Sequence, residues 1–281
     1  MTISLKALVG DHGTVYEVAD VFQFPGGELH LRDVERFVGE PVQLIADIRG
    51  AEPEDLITAA LYADVAQAYW WPLVVMLPYL PAARADRGIP LGVAAYAKLL
   101  NSLEPEQVIC VDPHSEVAER CYDELTVLDP VPLMQRAIMN TKYDAVIAPD
   151  KGAVERAMKA AKALGVDLYR ADKVRDFETG RIVDIHMSEK LPSSGKYLVV
   201  DDICDGGGTF AGLAEATGLS RDHLGIWITH GVFSGKASDL HANYERIYTT
   251  DSHPGASRGT VRPWATVPVY GYMFHNMKDF R

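Results

Sequence analysis

The stretch Tyr197–Phe210, YLVVDDICDGGGTF, decides how this chain is read. An apolar run ends in two carboxylates, Asp201 and Asp202, and is followed by a third, Asp205, then by Gly206, Gly207, Gly208 and Thr209. Consecutive glycines let the backbone turn tightly and let amide N–H groups approach a ligand without interference from Cβ. A helix beginning near Thr209 or Phe210 adds its N-terminal donors and the Thr209 hydroxyl, which together form a cradle for a phosphate dianion. The spacing is neither GxxxxGK[ST] nor GxGxxG. Asp201 and Asp202 precede the turn, where they would repel a bare phosphate. Vicinal hydroxyls suit them, because adjacent carboxylates accept hydrogen bonds from a ribose diol while the glycines hold its 5-phosphate. A sugar phosphate accounts for both halves of the stretch.

Working outward, apolar and β-branched runs recur: VQLIAD, LVVMLPY, QVICVD, YDAVIAP, VDLYRAD, KYLVVDD and GIWITHG. Helical spacing separates them. Leu56, Ala59, Ala60, Ala63 and Ala66 mark one crossover between Glu54 and Tyr69, and Lys151–Leu164 reads as another. This is α/β grammar, with buried parallel strands alternating with amphipathic helices. In VICVDPH, VIAPD and YLVVDD an apolar strand ends in Asp, at Asp112, at Asp150 and at Asp201 with Asp202. In open α/β sheets ligands bind beyond the carboxyl ends of the strands. An Asp after a strand also caps helices and opens turns, which explains any one of these more easily than all of them. The runs fall into two series joined near LDPVPL, so two similar domains are expected, residues 1–133 and 134–281, with the extreme C-terminus free to pack back on the first.

The 281 residues, 48% hydrophobic and 23% charged, suffice for a large buried core. A formal charge of −12, from 27 basic and 39 acidic side chains, opposes the basic footprint that nucleic acid requires. No signal-peptide layout and no membrane-spanning run is expected, and Cys110, Cys121 and Cys204 form neither a disulfide framework nor a CxxC metal signature, which points to the cytoplasm.

VVDDICDGGGT resembles the ribose 5-phosphate loop of the type I phosphoribosyltransferase fold. Further segments resemble the ribose-phosphate pyrophosphokinases, which carry that fold twice. VVMLPYLPAARADRG (74–88) is similar to their PYxxxARxDR segment, CVDPHSEV (110–117) to VDLH, FPGGE (24–28) to the adenine-contacting loop, APDKGA (148–153) to PDxGG, ADKVR (171–175) to DKRR, and THGVFSGKA (229–237) to a strand-end motif. They occur in the family's order along nearly the whole chain. The resemblance implies two tandem type I phosphoribosyltransferase-like domains, each a mainly parallel sheet flanked by helices. It implies transfer of the β,γ-diphosphoryl group of ATP to the C1 hydroxyl of ribose 5-phosphate, giving phosphoribosyl pyrophosphate and AMP.

By the same resemblance Asp201, Asp202, Asp205, Gly206, Gly207, Gly208 and Thr209 take the sugar phosphate. Phe24, Glu28, Arg84, Arg87 and His114 take ATP, His114 and Asp150 hold Mg2+, and Lys173 and Arg175 are catalytic cations on a lid that turns at ETG (178–180). A homo-oligomer, dimer or hexamer, is implied. The pattern departs at Gly26, where relatives carry Asp, at Gly206, where they carry Thr, and at Val174, where a further Arg is common. A compact GIPLG after Arg87 replaces a longer basic segment, which implies little regulation by phosphate or ADP. Two other readings stay open: a transferase consuming phosphoribosyl pyrophosphate, and a catalytically silent regulatory homologue.

Overall fold

The computed structural model describes residues 2–10, 14–34, 41–175 and 182–278. The chain divides into two units, Met1–Leu128 with Tyr270–Arg281, and Asp129–Val269.

The first unit runs β1 (Ile3–Val9), β2 (Thr14–Glu17), β3 (Asp20–Gln23), β4 (Leu29–Arg32), β5 (Pro41–Ile48), α1 (Pro53–Tyr69), β6 (Leu73–Met76), α2 (Gly92–Asn101), β7 (Gln107–Val111), α3 (Glu116–Cys121) and β8 (Leu125–Leu128). Its sheet has the order β2-β1-β5-β6-β7-β8. β1 is antiparallel to both neighbours, and β5 to β8 are parallel. Every residue of β6 and β7 is buried, as expected of parallel strands covered on both faces. β3 and β4 form a separate antiparallel hairpin.

α1 begins at Pro53, whose fixed φ suits a first turn, with Glu54 and Asp55 beside the positive end of the helix dipole. It stops where Trp70 adopts a left-handed φ of 58°. Its buried stripe is shifted from the expected one, with Leu56 only half-buried and Asp55, Thr58 and Tyr62 enclosed. Ala60 is exposed, and Tyr62 fills the core beside Ala59, Ala63 and Ala66. The Tyr62 hydroxyl finds its partner in the Lys6 carbonyl oxygen at 2.8 Å, so a large polar residue is tolerated where small alanines were expected to do the packing.

The second unit runs α4 (Val131–Ile138), β9 (Ala145–Ala148), α5 (Val154–Leu164), β10 (Asp167–Arg175), β11 (Ile182–Met187), β12 (Tyr197–Cys204), α6 (Gly208–Thr217), β13 (Leu224–Gly231), α7 (Leu240–Asn243), β14 (Arg246–Thr250), α8 (Gly255–Arg258) and β15 (Ala265–Val267). The sheet order is β11-β10-β9-β12-β13-β14-β15. Among the described residues the β10–β11 pair is antiparallel and the other pairs are parallel. β12 therefore sits between two parallel neighbours. The strand order reverses at β9 and β12, the kind of switch point where open sheets bind ligands. α5 buries Ala157, Ala160 and Ala161 and ends at Gly165, which takes a φ of 69° while the Val166 N–H donates back to the Ala161 carbonyl. The expected ETG turn of the lid lies outside the described residues.

The chain returns to the first unit in α9 (Tyr270–Phe274). Lys6 Nζ stands 4.3 Å from the centroid of the Tyr270 ring and 3.2 Å from Asp47 Oδ2. Lys278 fastens the end of the chain, its N–H donating to Gln107 Oε1 at 3.0 Å and its Nζ to Glu124 Oε2 at 2.7 Å.

Candidate functional site

The second unit gathers its chemistry at the carboxyl edge of its sheet. β9 and β12 run parallel in register, Ile147 opposite Val199, so the segments after them emerge on the same side. Asp150 follows β9, Asp201 and Asp202 lie in the last half of β12, and the glycine loop follows directly. The loop turns at Gly207, where φ is +80°, and a Cβ there would stand 3.2 Å from Leu240 and 3.3 Å from the Ala237 backbone. Glycine is required at that position on both counts. At Gly206 and Gly208 a Cβ would meet nothing within 4 Å, so these two residues face open space. α6 starts at Gly208 with no side-chain hydrogen bond at its N-cap, which leaves its first-turn amides without that substitute for an anion.

The loop is braced from β13. The Val232 and Phe233 N–H groups both donate to the Cys204 carbonyl at 3.0 Å, the Ser234 N–H donates to the Asp205 carbonyl at 3.1 Å, and the Ser234 hydroxyl donates to Asp205 Oδ1. Asp205 is thus engaged with the THGVFSGKA segment. His230 in the same segment is 1% exposed, and its Nδ1 lies 2.8 Å from Ser252 Oγ. It belongs to the interior.

Asp201 and Asp202 are held by a residue that the sequence reading did not assign. Arg156 on α5 places Nη1 3.6 Å from Asp201 Oδ1 and Nη2 3.4 Å from Asp202 Oδ2, with 14%, 14% and 6% of the respective side chains exposed. The signal lay in the helix itself, since Arg156 falls one turn before Ala160 on a stripe otherwise made of alanine. A charge on a buried stripe calls for an opposite charge beside it. Burial pushes the Asp201 carboxyl well above the usual carboxylate range, and the neighbouring Asp202 charge adds to this while Arg156 opposes it. Two adjacent carboxylates in a largely enclosed place resist ionising together.

Lys173 lies within β10 rather than in a loop, and its side chain is 9% exposed. Its Nζ donates to Asp150 Oδ2 at 2.5 Å, and Asp150 Oδ1 accepts the Ala153 N–H at 3.1 Å. Burial works to raise the Asp150 carboxyl, but the hydrogen bond and charge of Lys173, with the Ala153 and Gly152 amides, hold it below its ordinary value. Arg175 ends β10, and its side chain lies outside the described residues.

In the first unit, Arg84 and Arg87 follow β6, and His114 follows β7, so all three leave the carboxyl edge of adjacent parallel strands. Both arginines are exposed; Arg87 Nε stands 3.4 Å from Asp86 Oδ1. His114 is half-buried between Asp112, whose φ is +48°, and Ser115, which caps α3 by accepting the Ala118 N–H. Phe24 and Glu28 belong to the β3–β4 turn, closed by the Phe24 N–H donating to the Glu28 carbonyl at 2.8 Å. Phe24 is 46% exposed and meets Phe22 edge-on at 4.9 Å between ring centroids. The Glu28 carboxylate occupies the space above Gly26, where a Cβ would lie 2.4 Å from Glu28 Oε2.

A mainly parallel sheet with a carboxylate pair and a side-chain-free loop at the end of its middle strand defines the type I phosphoribosyltransferase class. Residues 133–217 match the family model described as phosphoribosyl transferase domain. Ribose-phosphate pyrophosphokinase of Pyrococcus abyssi is 30% identical over 244 residues, which cover 82% of this chain and 81% of that protein. The enzyme of the same name from Sulfolobus acidocaldarius is 28% identical over 242 residues, covering 82% of this chain and 83% of that one. The crystal structure of phosphoribosylpyrophosphate synthetase from Mycobacterium smegmatis superposes with a TM-score of 0.72 at 21% identity, over 90% of this chain and 86% of that one, a likeness of fold. The chain belongs to the ribose-phosphate pyrophosphokinase family.

Proposed function

We propose that the chain transfers the β,γ-diphosphoryl group of ATP to the C1 hydroxyl of ribose 5-phosphate, releasing AMP and phosphoribosyl pyrophosphate. The observation that carries this reading is the juxtaposition at the end of β12, where two carboxylates adjoin open glycine backbone at an uncapped helix N-terminus. The 5-phosphate takes the amides of Gly206, Gly207, Gly208 and Thr209 and the Thr209 hydroxyl. Asp201 and Asp202 accept hydrogen bonds from the ribose hydroxyls, which fixes the ring and so aims C1. Asp205, tied to Ser234, keeps the loop in shape.

In this reading the C1 oxygen attacks the β-phosphorus, its proton is lost, and the bond to the α-phosphate oxygen breaks. Such transfers depend on positioning and on neutralising phosphate charge. Lys173 and Arg175 on β10 supply cations for the transferring group. Arg84 and Arg87 are assigned to the phosphates of ATP, which planar guanidinium groups grip in pairs. Phe24 offers an exposed ring for the adenine and Glu28 a carboxylate for its polar edge, and His114 is assigned to the nucleotide end.

Among the described residues no cluster of three His, Cys, Asp or Glu side chains is arranged to hold a metal ion. Magnesium fits such a surface, because it keeps several waters and takes one or two carboxylates together with substrate phosphates. Asp150 is the carboxylate assigned to it, with His114 the second residue that the family resemblance implies. When bound, magnesium neutralises charge on the triphosphate. A homo-oligomer is part of the same reading. No helix among the described residues is long and apolar enough to cross a membrane.

The test is to incubate the protein with magnesium, ATP and ribose 5-phosphate and to separate the nucleotides. AMP formed in step with phosphoribosyl pyrophosphate supports the reading. ADP, or no nucleotide turnover, overturns it, and pyrophosphate release from phosphoribosyl pyrophosphate with a base and no ATP requirement would assign the consuming transferase instead.

A further inference from the structure

We propose that Arg156 is a positioning residue for sugar recognition, its two terminal nitrogens each holding one of the adjacent carboxylates Asp201 and Asp202 so that the pair meets the ribose hydroxyls in a fixed orientation. The proposal deepens the sugar-phosphate reading of the loop and rests on it. Three observations carry it.

The contacts are separate, Nη1 toward Asp201 at 3.6 Å and Nη2 toward Asp202 at 3.4 Å, so one planar group spans both acids. A guanidinium has a fixed fork, and orienting two carboxylates with it fixes the angle between them. The second observation is placement. Arg156 reaches the acids from α5, whereas the glycine loop and α6 follow β12, so the cation and the phosphate cradle are supplied by different elements. Asp201 Oδ1 also accepts the Asp202 N–H at 3.0 Å and Asp202 Oδ1 the Ile203 N–H at 2.8 Å, so backbone amides and Arg156 together set the two carboxylates.

The third is burial. All three side chains are largely enclosed, and two acids on consecutive residues need a counter-charge to ionise together there. Asp201 is pushed toward its neutral form by burial and by Asp202, and Arg156 is the cation that opposes this. Asp150, the other acid acting on Asp201, is itself held by Lys173. The sequence supports the same division of labour, since Arg156 lies on a stripe of small alanines that seats α5 tightly against the sheet.

Binding, not turnover, is the readout. Calorimetric titrations use ribose 5-phosphate and 2-deoxyribose 5-phosphate, which share the phosphate and differ by one hydroxyl. The unmodified protein should prefer the ribose compound by about tenfold or more, the worth of one hydrogen bond to a charged group. Arg156→Met should lose most of that preference, with ribose 5-phosphate weakened about tenfold and the deoxy compound changed less than about twofold. Arg156→Lys, which keeps a cation but cannot serve both acids, should show an intermediate preference. Should Arg156→Met fail to fold, Arg156→Lys decides alone: a reduced preference supports the proposal and an unchanged one overturns it. Parallel weakening of both sugars in the variants also overturns it, because that is what a merely structural arginine produces. An unmodified protein that binds neither sugar phosphate overturns the site reading itself, and this inference with it.

Discussion

Lys173 Nζ and Asp150 Oδ2 stand 2.5 Å apart, joining β10 to the segment after β9 across two adjacent strands. A lysine expected on a lid and an acid expected at a metal form a pair.

Lys173→Ala should therefore separate chemistry from binding. If Lys173 acts on the transferring phosphates, kcat falls about a hundredfold while the Kd for ribose 5-phosphate changes by less than about twofold. Steady-state rates and calorimetry check this. Equal losses in both remove Lys173 from the transition state.

The same pair has a pH signature. Asp150 is held below its ordinary value, so its contribution to stability is fully present above the unfolded carboxylate value of about 3.9 and is lost as the pH falls through the lower folded value. Lys173→Ala should therefore melt lower than the parent at neutral pH, with the gap closing as the pH falls through the carboxylate range. Thermal melts from neutral to acid pH, the variant against the parent, give the answer, and melts that coincide at neutral pH would deny the pair any role.

Asp201 carries the opposite sign. Its folded value is raised, so the protonated carboxyl's contribution is complete below about 3.9 and disappears as the pH rises through the raised value. Asp201→Asn, which cannot ionise, should therefore melt higher than the parent at neutral pH and lose this advantage in acid. It should also bind ribose 5-phosphate about tenfold more weakly. A site residue whose removal stabilises the fold marks a carboxylate kept for function.

Two glycines of one loop should behave differently. Gly207→Ala forces a side chain into a left-handed conformation and against Leu240 and Ala237, and should cost about 2 kcal/mol or more. Gly206→Thr meets open space, should change stability by less than about 0.5 kcal/mol, and adds a hydroxyl beside the loop amides, so ribose 5-phosphate should bind more tightly. Denaturant midpoints and titrations distinguish the two; destabilisation of both would show that the loop is packed in a way the open space at Gly206 does not allow.

The Tyr270 hydroxyl is buried without a hydrogen-bond partner, whereas its ring stacks under Lys6. Tyr270→Phe should be neutral or slightly stabilising, and Tyr270→Ala should cost about 3 kcal/mol. Chemical denaturation of both variants tests whether the C-terminal helix is held by the ring.

The runs legible in the sequence were those whose burial leaves no polar face: VQLIAD, LVVMLPY, QVICVD, YDAVIAP and GIWITHG all lie on strands of the two sheets. β1, β2 and the β3–β4 hairpin were not read, because ISLKALV and DVFQ mix polar and apolar residues and carry a weaker signal. The glycine loop was legible because three glycines after two acids have few structural uses, and α6 begins within one residue of the expected point. Arg156 was not, because its meaning depends on which carboxylates the parallel register of β9 and β12 brings beside it. The polar residues around Lys173 and the resemblance to a loop predict a lid, and pairing with β11 places it in a strand instead.

Phosphorus-31 spectra of ATP and ribose 5-phosphate incubated with the protein and magnesium follow each phosphate to its destination. The account predicts that the β- and γ-phosphates of ATP move together to C1 of the sugar while the α-phosphate remains as AMP, at a rate that Asp202→Asn and Lys173→Ala both depress. Movement of the γ-phosphate alone, with ADP left behind, or a spectrum that stays that of the two substrates, would contradict it.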